Sequence, residues 1–159
     1  MTAAEADRRA RALAARFAHI AATRMAGVAL CHPRLQVAAV GFRPDAAGGA
    51  WGVLLTPWFM NLAWLPDEGD PSPPLAPGAT RKRVLGTECF EMTGAHEDAI
   101  GAFEACSLFS PMHDFADQAA ALATAAAALQ HLRPETLAPI PSPLATRRRL
   151  LLGLGRSTA

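Results

Sequence analysis

The sequence predicts a single α+β domain over residues 1–159, with a largely antiparallel sheet, an N-terminal helix and a second, Ala-rich helix packed on the sheet. Three observations lead to this prediction. An amphipathic segment opens the chain, short apolar runs separated by proline and glycine follow it, and an alanine-rich segment comes last. With 51% apolar and 18% charged residues, the 159-residue chain is long and apolar enough to bury a core of its own.

The N-terminal helix is predicted over residues 3 to about 25. Thr2 and Glu5 have the spacing of a capping box, and Gly27 is the expected stop. Between them, apolar residues recur at steps of three and four while the arginines fall mostly on the other side, as in an amphipathic helix. The apolar positions are Ala6, Ala10, Leu13, Phe17 and Ile20.

Short strands are predicted next, over residues 35–42, 51–55 and 61–65, because each segment is apolar and is bounded by proline or glycine. All three tryptophans of the chain lie within or between the second and third of these strands. Such a concentration of large side chains points to recognition through packing, because aromatic residues supply buried contact area and interface energy. The alternative is that the tryptophans belong to two core strands.

A proline marks the connection between the second and third predicted strands. Pro57 suits the second position of a turn and forces Thr56 to be extended, so the two strands are predicted to form a hairpin. The tip of this hairpin would carry Trp58, Phe59 and Met60. We expect at least one of these large side chains to be substantially exposed.

The second half of the sheet is less clear from the sequence. Residues 66–78 contain five prolines and predict an extended surface loop. Strands are predicted over 81–85 and 88–93, where the alternation of apolar and polar residues is imperfect. Residues 99–109 fit either a strand or a short helix.

The Ala-rich helix is predicted to begin near Asp114, which would cap it, and to end at Pro134. Asp117 would lie in its first turn, where a negative charge is favourable. Residues 134–159 would form an extended tail, part of which docks on the domain. The apolar stripe expected to face the sheet consists of Phe115, Ala119, Leu122, Ala126, Leu129 and Leu132.

Composition and charge exclude several classes of protein. The net charge is +1, and the two short basic runs lack interleaved aromatic residues, so no nucleic-acid partner is expected. The N-terminus carries acidic residues where a secretory signal needs a basic start, and no apolar run is long enough to span a membrane. The three cysteines are far apart, as is typical of a reducing compartment. We therefore expect a cytoplasmic protein with no stable membrane insertion.

Metal binding and nucleophilic catalysis are both weakly indicated. A metal site would require several distant ligands to converge in space, and the chain has no Cys-x-x-Cys pair. The candidate ligands are Cys31, His32, Cys89, Cys106 and His113. The expectation is no metal and no cofactor.

A nucleophile would have to be Cys106 or Ser107, with His113 as its base and Glu104 or Asp114 as the orienting acid. Nothing in the spacing selects these residues. The expectation is a protein that is not an enzyme, with a hydrolase using Cys106 or Ser107 as an alternative.

Two sequence blocks resemble a known family. The segments Gly-Val-Leu-Leu-Thr-Pro-Trp-Phe-Met-Asn-Leu at 52–62 and Cys-Ser-Leu-Phe-Ser-Pro-Met at 106–112 are similar to the signature of the HybE/HupJ/HoxT family of nickel-iron hydrogenase assembly chaperones. The segments 30–33 and 147–153 resemble further parts of that family. The resemblance covers about residues 10–155. The chain is similar to the HoxT-like short form of the family, which does not have the rubredoxin domain that some members carry.

The resemblance implies a non-catalytic accessory chaperone in the maturation of a membrane-bound uptake nickel-iron hydrogenase. Such a chaperone would bind the precursor of the large subunit, the small subunit or both before export by the twin-arginine route. The alternative is a protective or carrier protein that holds a metal or cofactor during hydrogenase assembly.

The residues expected to contact the hydrogenase subunit come from the two blocks, because the resemblance carries over no catalytic residues. Trp58 and Met60 are expected to supply apolar anchors. The alternative is that the residues of the two blocks pack on one another and fix the fold. The candidate partner-binding residues are Thr56, Pro57, Trp58, Phe59, Met60, Cys106, Ser107, Ser110, Pro111 and Met112.

Overall fold

The computed structural model describes residues 1–70 and 72–134, which form two helices and one six-stranded sheet. The elements along the chain are α1 (Ala3–Ala22), β1 (Ala38–Pro44), β2 (Ala50–Leu55), β3 (Met60–Leu65), β4 (Thr80–Leu85), β5 (Glu88–Glu97), β6 (Gly101–Phe109) and α2 (Gln118–Leu132). Among the described residues, no helix is long and apolar enough to cross a membrane.

The sheet is antiparallel throughout, in the order β1-β2-β3-β6-β5-β4, which confirms the predicted α+β class. The two helices contribute to separate core clusters. Leu13 and Phe17 of α1 pack with Leu54, whereas Leu129 of α2 packs with Val53. Because successive residues of a strand point to opposite faces, the helices cover opposite faces of the sheet. This explains why β2 is buried along its whole length.

Helix α1 begins as predicted and ends earlier than predicted. The Thr2 hydroxyl accepts a hydrogen bond from the Glu5 backbone N–H at 3.2 Å, as a capping residue does. The helix ends at Ala22, and the hydroxyl of the next residue, Thr23, donates to the carbonyl of His19 at 2.7 Å. Thus Gly27, with a φ of 73°, lies in the following turn and not at the end of the helix.

The hairpin between β2 and β3 is confirmed, with a register that runs from Leu55 opposite Met60 to Ala50 opposite Leu65. The region 99–109, which the sequence left open, is largely strand. It pairs with β3 on one side and with β5 on the other, so tertiary pairing settles a local ambiguity.

The start and the buried face of α2 differ from the prediction. Asp117 is the cap, since its carboxylate accepts from the Ala120 N–H at 2.9 Å; Asp114 is exposed and lies before the helix. Phe115 also precedes the helix, and Leu122 is 36% exposed. An alanine-rich helix has little amphipathic contrast, so close packing on the sheet selects the buried face. The residues buried on that face are Ala121, Ala125, Leu129 and Leu132.

The predicted loop at 66–78 contains no helix or strand in its described residues and contacts the body of the domain at both ends. Near its start, the Asp67 carboxylate accepts from the Gly49 N–H at 2.9 Å. At its far end, Gly78 N–H donates to the Gly94 carbonyl at 2.9 Å. The tail predicted over 134–159 lies, after its first residue, outside the described residues.

Candidate functional site

The two sequence blocks lie side by side at one end of the sheet. Met60 on β3 is opposite Phe109 on β6, and Leu62 is opposite Cys106. The hairpin tip that precedes Met60 is therefore next to the segment that follows Phe109. This segment includes a cis peptide bond between Ser110 and Pro111.

Thr56 organises the hairpin tip from within. Its hydroxyl oxygen accepts from the backbone N–H groups of Trp58 at 3.2 Å and Phe59 at 2.9 Å, and the hydroxyl donates to the Phe59 carbonyl at 3.0 Å. The Thr56 N–H also donates to the Phe59 carbonyl, at 2.8 Å. Thr56 is 0% exposed and Pro57 is buried. These two residues shape the tip and have no free surface for a partner.

His32 ties a third segment, the loop between α1 and β1, to this end of the sheet. Its backbone N–H donates to the Pro57 carbonyl at 2.8 Å. Its Nδ1 accepts from the Arg34 N–H at 3.0 Å, and its Nε2 donates to the Phe115 carbonyl at 2.8 Å. Because a carbonyl can only accept, this pattern requires the neutral tautomer with the proton on Nε2. Both ring nitrogens are therefore in use, which leaves His32 unsuited to the metal-binding role considered from the sequence.

The three segments that meet at this end of the sheet carry exposed or partly exposed apolar side chains. The described residues include five exposed large apolar side chains, and three of them lie here: Val28 at 40%, Leu30 at 43% and Phe109 at 42%. Trp58 and Phe59 of the hairpin tip are partly exposed. We call Val28, Leu30, Trp58, Phe59 and Phe109 the apolar end. Grouped exposure of this kind is characteristic of interaction surfaces.

None of the three large side chains at the hairpin tip reaches the substantial exposure that was expected of at least one of them. Trp58 and Phe59 are only partly exposed, because their rings pack edge-on against each other and the Phe59 ring packs edge-on against Phe17. The ring centroids are 5.5 Å apart in the first pair and 5.8 Å apart in the second. Met60 and Met112 are 0% exposed. Met60 is the first residue of β3, and its side chain joins the core on the α2 face, so it is not available as a surface anchor.

Sequence reasoning missed three residues of the apolar end. Leu30 and Phe109 lie inside segments that the family resemblance had already marked, so the signal was present but was not assigned to a surface. Val28 lies in a turn, where its N–H donates to the Met25 carbonyl at 3.2 Å, and Met25 packs in the same core cluster as Trp58. Nothing in the sequence around Val28 indicated that it would be exposed at this site.

The other two tryptophans are core residues that arginines cover. The Arg83 guanidinium lies 3.4 Å from the centre of the Trp64 ring, and that of Arg133 lies 3.6 Å from the Trp51 ring. Burial lowers the pKa of Arg133 to about 10, and the nearby positive charge of Arg43 acts in the same direction. Two of the three tryptophans thus serve the fold, and Trp58 alone is placed at the apolar end.

The side chains considered for nucleophilic catalysis do not form a catalytic group. Cys106 and Ser107 are consecutive in β6 and point to opposite faces of the sheet. Burial raises the pKa of the Cys106 thiol, and the carboxylate of Glu91 raises it further, so the reactive thiolate is disfavoured. Glu104 is 1% exposed and binds Arg83 through two hydrogen bonds of 2.9 Å, so it is not free to orient a histidine. His113 is exposed.

The cysteines show no metal-site geometry in the part of the chain that the structure describes. Cys31, Cys89 and Cys106 are free thiols. Within residues 1–70 and 72–134, no group of three His, Cys, Asp or Glu side chains is arranged to hold a metal ion.

Comparison with known proteins shows the family to which this chain is similar. The family model described as "NiFe-hydrogenase assembly, chaperone, HybE" matches residues 8–153 of this chain. Protein HoxT of Cupriavidus necator is 43% identical over 97% of this chain and 93% of its own length. The hydrogenase expression/formation protein HupT of Azotobacter chroococcum is 40% identical over 80% of this chain and 84% of its own length.

Two further similarities bear on architecture. The solution structure of HybE from Escherichia coli matches with a TM-score of 0.65, covering 95% of this chain and 91% of that one; at 21% identity it shows a shared fold. The probable rubredoxin HupJ of Rhodobacter capsulatus is 36% identical over 79% of this chain, which corresponds to 45% of that protein.

Proposed function

Because this chain belongs to the HybE family of nickel-iron hydrogenase assembly chaperones, and so is an accessory protein of hydrogenase maturation, we propose that its apolar end binds the precursor of a hydrogenase subunit. The large subunit, the small subunit and a complex of both are possible clients. Binding takes place in the cytoplasm before export of the hydrogenase, and it involves no chemical step.

One observation carries this proposal: three segments distant in sequence are brought together to present apolar side chains at one end of the sheet. The His32 N–H holds the loop that carries Leu30 against the hairpin, through its bond to Pro57. The pairing of Met60 with Phe109 places the end of β6 beside the same hairpin. Leaving these apolar groups in water has a free-energy cost, which a partner surface would remove.

The site retains six of the ten residues predicted from the sequence as partly or fully exposed: Trp58, Phe59, Cys106, Ser107, Ser110 and Pro111. The exposed residues Val28, Leu30 and Phe109 join them. The buried members of the predicted set, Thr56, Pro57, Met60 and Met112, hold the surface in shape. Their burial supports the fold-maintaining alternative for these four residues, and partner binding is proposed for the six that are exposed.

The test compares Leu30→Asp and Phe109→Asp with Val84→Asp. Val84 is a matched control, because it is 62% exposed and apolar but lies on β4, separated from β3 by two strands. Each tagged variant is co-expressed with the hydrogenase subunit precursors of the same genome, and the amount of co-purified precursor is measured. Loss of an apolar anchor costs roughly 2 kcal/mol, or about thirtyfold in affinity. We expect this loss in the first two variants and wild-type recovery in Val84→Asp.

Thermal unfolding of the three variants serves as the folding control. The mutated side chains are exposed, so their melting temperatures are expected to remain close to that of the wild-type protein. If Leu30→Asp and Phe109→Asp retain their precursor as Val84→Asp does, the client surface lies elsewhere on the molecule.

A further inference from the structure

A small pocket lies at the other end of β3 from the apolar end. Trp64 and Glu104, which are opposite each other in the β3–β6 ladder, line it from the sheet. Arg81 and Arg83 line it from β4, and residues 72–75 line it from the proline-rich loop. Its volume is about 180 Å³, which is below the roughly 300–1,000 Å³ of typical small-molecule sites. The pocket therefore suits one small chemical group and not a whole cofactor.

Two guanidinium groups in this pocket share a single buried carboxylate. Glu104 is 1% exposed and accepts two hydrogen bonds of 2.9 Å from Arg83. The guanidinium of Arg83 is held in addition by the Trp64 ring, 3.4 Å away. Arg81 forms its ion pair with the same carboxylate, at 3.1 Å from Nε to Oε1. Because one carboxylate balances one guanidinium, the group of three carries an excess positive charge.

Arg81 is the member of this group whose hydrogen bonding is incomplete. Its Nε is buried and, despite the short distance to Glu104, has no hydrogen-bond partner among the described residues. Buried donors without a partner are rare in folded proteins, and one explanation is a ligand that supplies the acceptor. The Arg81 side chain is 36% exposed, so a ligand can reach it from solvent.

The rest of the lining suits a carboxylate carried on carbon atoms. Phe103, Pro73 and Leu75 supply apolar contact area, which a bare inorganic anion would leave unused. Asp70 also lines the pocket, but it is exposed, and its Oδ1 accepts from the Ser72 N–H at 2.8 Å. Its charge therefore lies in water at the rim, where solvent screens its effect on the arginines.

We propose that this pocket binds one carboxylate group of a polypeptide, with Arg81 as the principal donor and the apolar lining against the carbons that bear the carboxylate. Guanidinium groups bind carboxylates through two parallel hydrogen bonds, which gives such a site its specificity. An acidic side chain and a C-terminal carboxylate share this chemistry. The inference goes beyond the proposed function, because the pocket lies apart from the apolar end and does not depend on it.

The experiment follows two NMR signals of the intact protein, the Arg81 Nε–H and the Trp64 indole N–H, while blocked amino acids are added. N-acetylalanine carries a C-terminal carboxylate, and N-acetylaspartate N-methylamide carries a side-chain carboxylate. The uncharged N-acetylalanine N-methylamide is the control. We expect at least one carboxylate to shift both signals with saturation at millimolar concentrations, and the control to leave them unchanged. The compound that binds more tightly identifies the source of the carboxylate.

Two substitutions on β4 provide a second measurement. Arg81→Gln and Lys82→Gln each remove one positive charge, but Lys82 is exposed and points to the opposite face of the strand. We expect Arg81→Gln to bind the carboxylate about tenfold more weakly or worse, and Lys82→Gln to bind as the wild type does. Equal affinity in the two variants would contradict the role of Arg81. If Arg81→Gln does not fold, the wild-type titration and its uncharged control still decide.

Three further results would each overturn the proposal. The first is the absence of a shift with either carboxylate. The second is an equal shift with the uncharged control, which would mean that apolar contact alone is responsible. The third is an equal shift with sodium sulfate at the same concentration, which would make the pocket a general anion site. None of these results bears on the apolar end, whose own test uses Leu30→Asp and Phe109→Asp with the subunit precursors.

Discussion

Single buried polar residues decide the shape of the site. Thr56 and His32 are both buried, and each joins backbone groups that would otherwise be unpaired. An unpaired buried backbone group costs about 1–3 kcal/mol, so substitutions at these positions act on the fold of the site before they act on binding. Residues in the same sequence block therefore differ in burial and hydrogen bonding, which a motif cannot distinguish.

Thr56→Val tests this role at the hairpin tip. Valine keeps the branched shape and removes the hydroxyl that bonds to Trp58 and Phe59, so we expect a loss of about 2 kcal/mol in the free energy of unfolding. Chemical denaturation provides the measurement. Thr124→Val is the control, because its hydroxyl donates only to the Ala120 carbonyl within α2; we expect a change below about 0.5 kcal/mol there. Equal effects would show that the network of Thr56 is not needed for the tip.

Among the elements, α1 is fixed to the far end of β5 by charge as well as by apolar packing. Arg16 Nε and Arg24 Nη2 each donate to the carboxylate of Glu97 at 2.9 Å. Burial raises the pKa of Glu97, but the two arginine hydrogen bonds outweigh it and leave the pKa below the ordinary value of 4.5. The folded state therefore favours the charged carboxylate, and this part of the stability is lost as the pH falls below 4.5 through the lower folded pKa.

Glu97→Gln is expected to destabilise the protein at pH 7 by roughly 1 kcal/mol, because it removes both charge-assisted bonds. The difference between wild type and variant should shrink as the pH falls below about 4.5 and disappear once the wild-type carboxylate is protonated. Urea unfolding as a function of pH measures this. Glu68→Gln, which removes an exposed partner of Arg8, is the control and should have little effect at any pH. A difference that persists in acid would mean that Glu97 acts through packing.

For the whole molecule, the two ends of the sheet differ in how much of their surface is covered. Strands β1, β2 and β3 pack in the core clusters of α1 and α2, whereas β4 and the first part of β5 place Leu85 and Met92 in the α2 cluster but are mostly exposed on their other face. The apolar end lies where the tip of the β2–β3 hairpin meets the end of β6.

The alternative function, a carrier of a metal or cofactor during hydrogenase assembly, is tested on the intact protein. The described residues contain no grouped ligand set, so we expect no stoichiometric metal in the purified chain. Elemental analysis for iron, nickel and zinc after a chelator wash is the measurement, with the wash applied in parallel to a known zinc protein as the control. Retention of one equivalent of any of these metals would revive the reading of the protein as a metal carrier.

The sequence determined the elements whose signals are local. The helix cap at Thr2, the turn at Pro57 and the loop of five prolines each follow from a short stretch of chain. The family resemblance likewise rests on two short sequence blocks. These predictions depend only on neighbouring residues, and they remained valid in the structure wherever the described residues include them.

Only the tertiary structure decided what depends on partners distant in sequence. The strand at β6 forms because two other strands pair with it, and packing on the sheet decides which residues of α2 are buried. Met60 is buried and Phe109 exposed although both lie in the same kind of apolar block. The exposure of a side chain depends on which face of its strand a neighbouring element covers. His32 likewise bonds to Pro57 and Phe115, which lie 25 and 83 residues away along the chain. Contacts of that range have no periodicity in the sequence from which they could have been predicted.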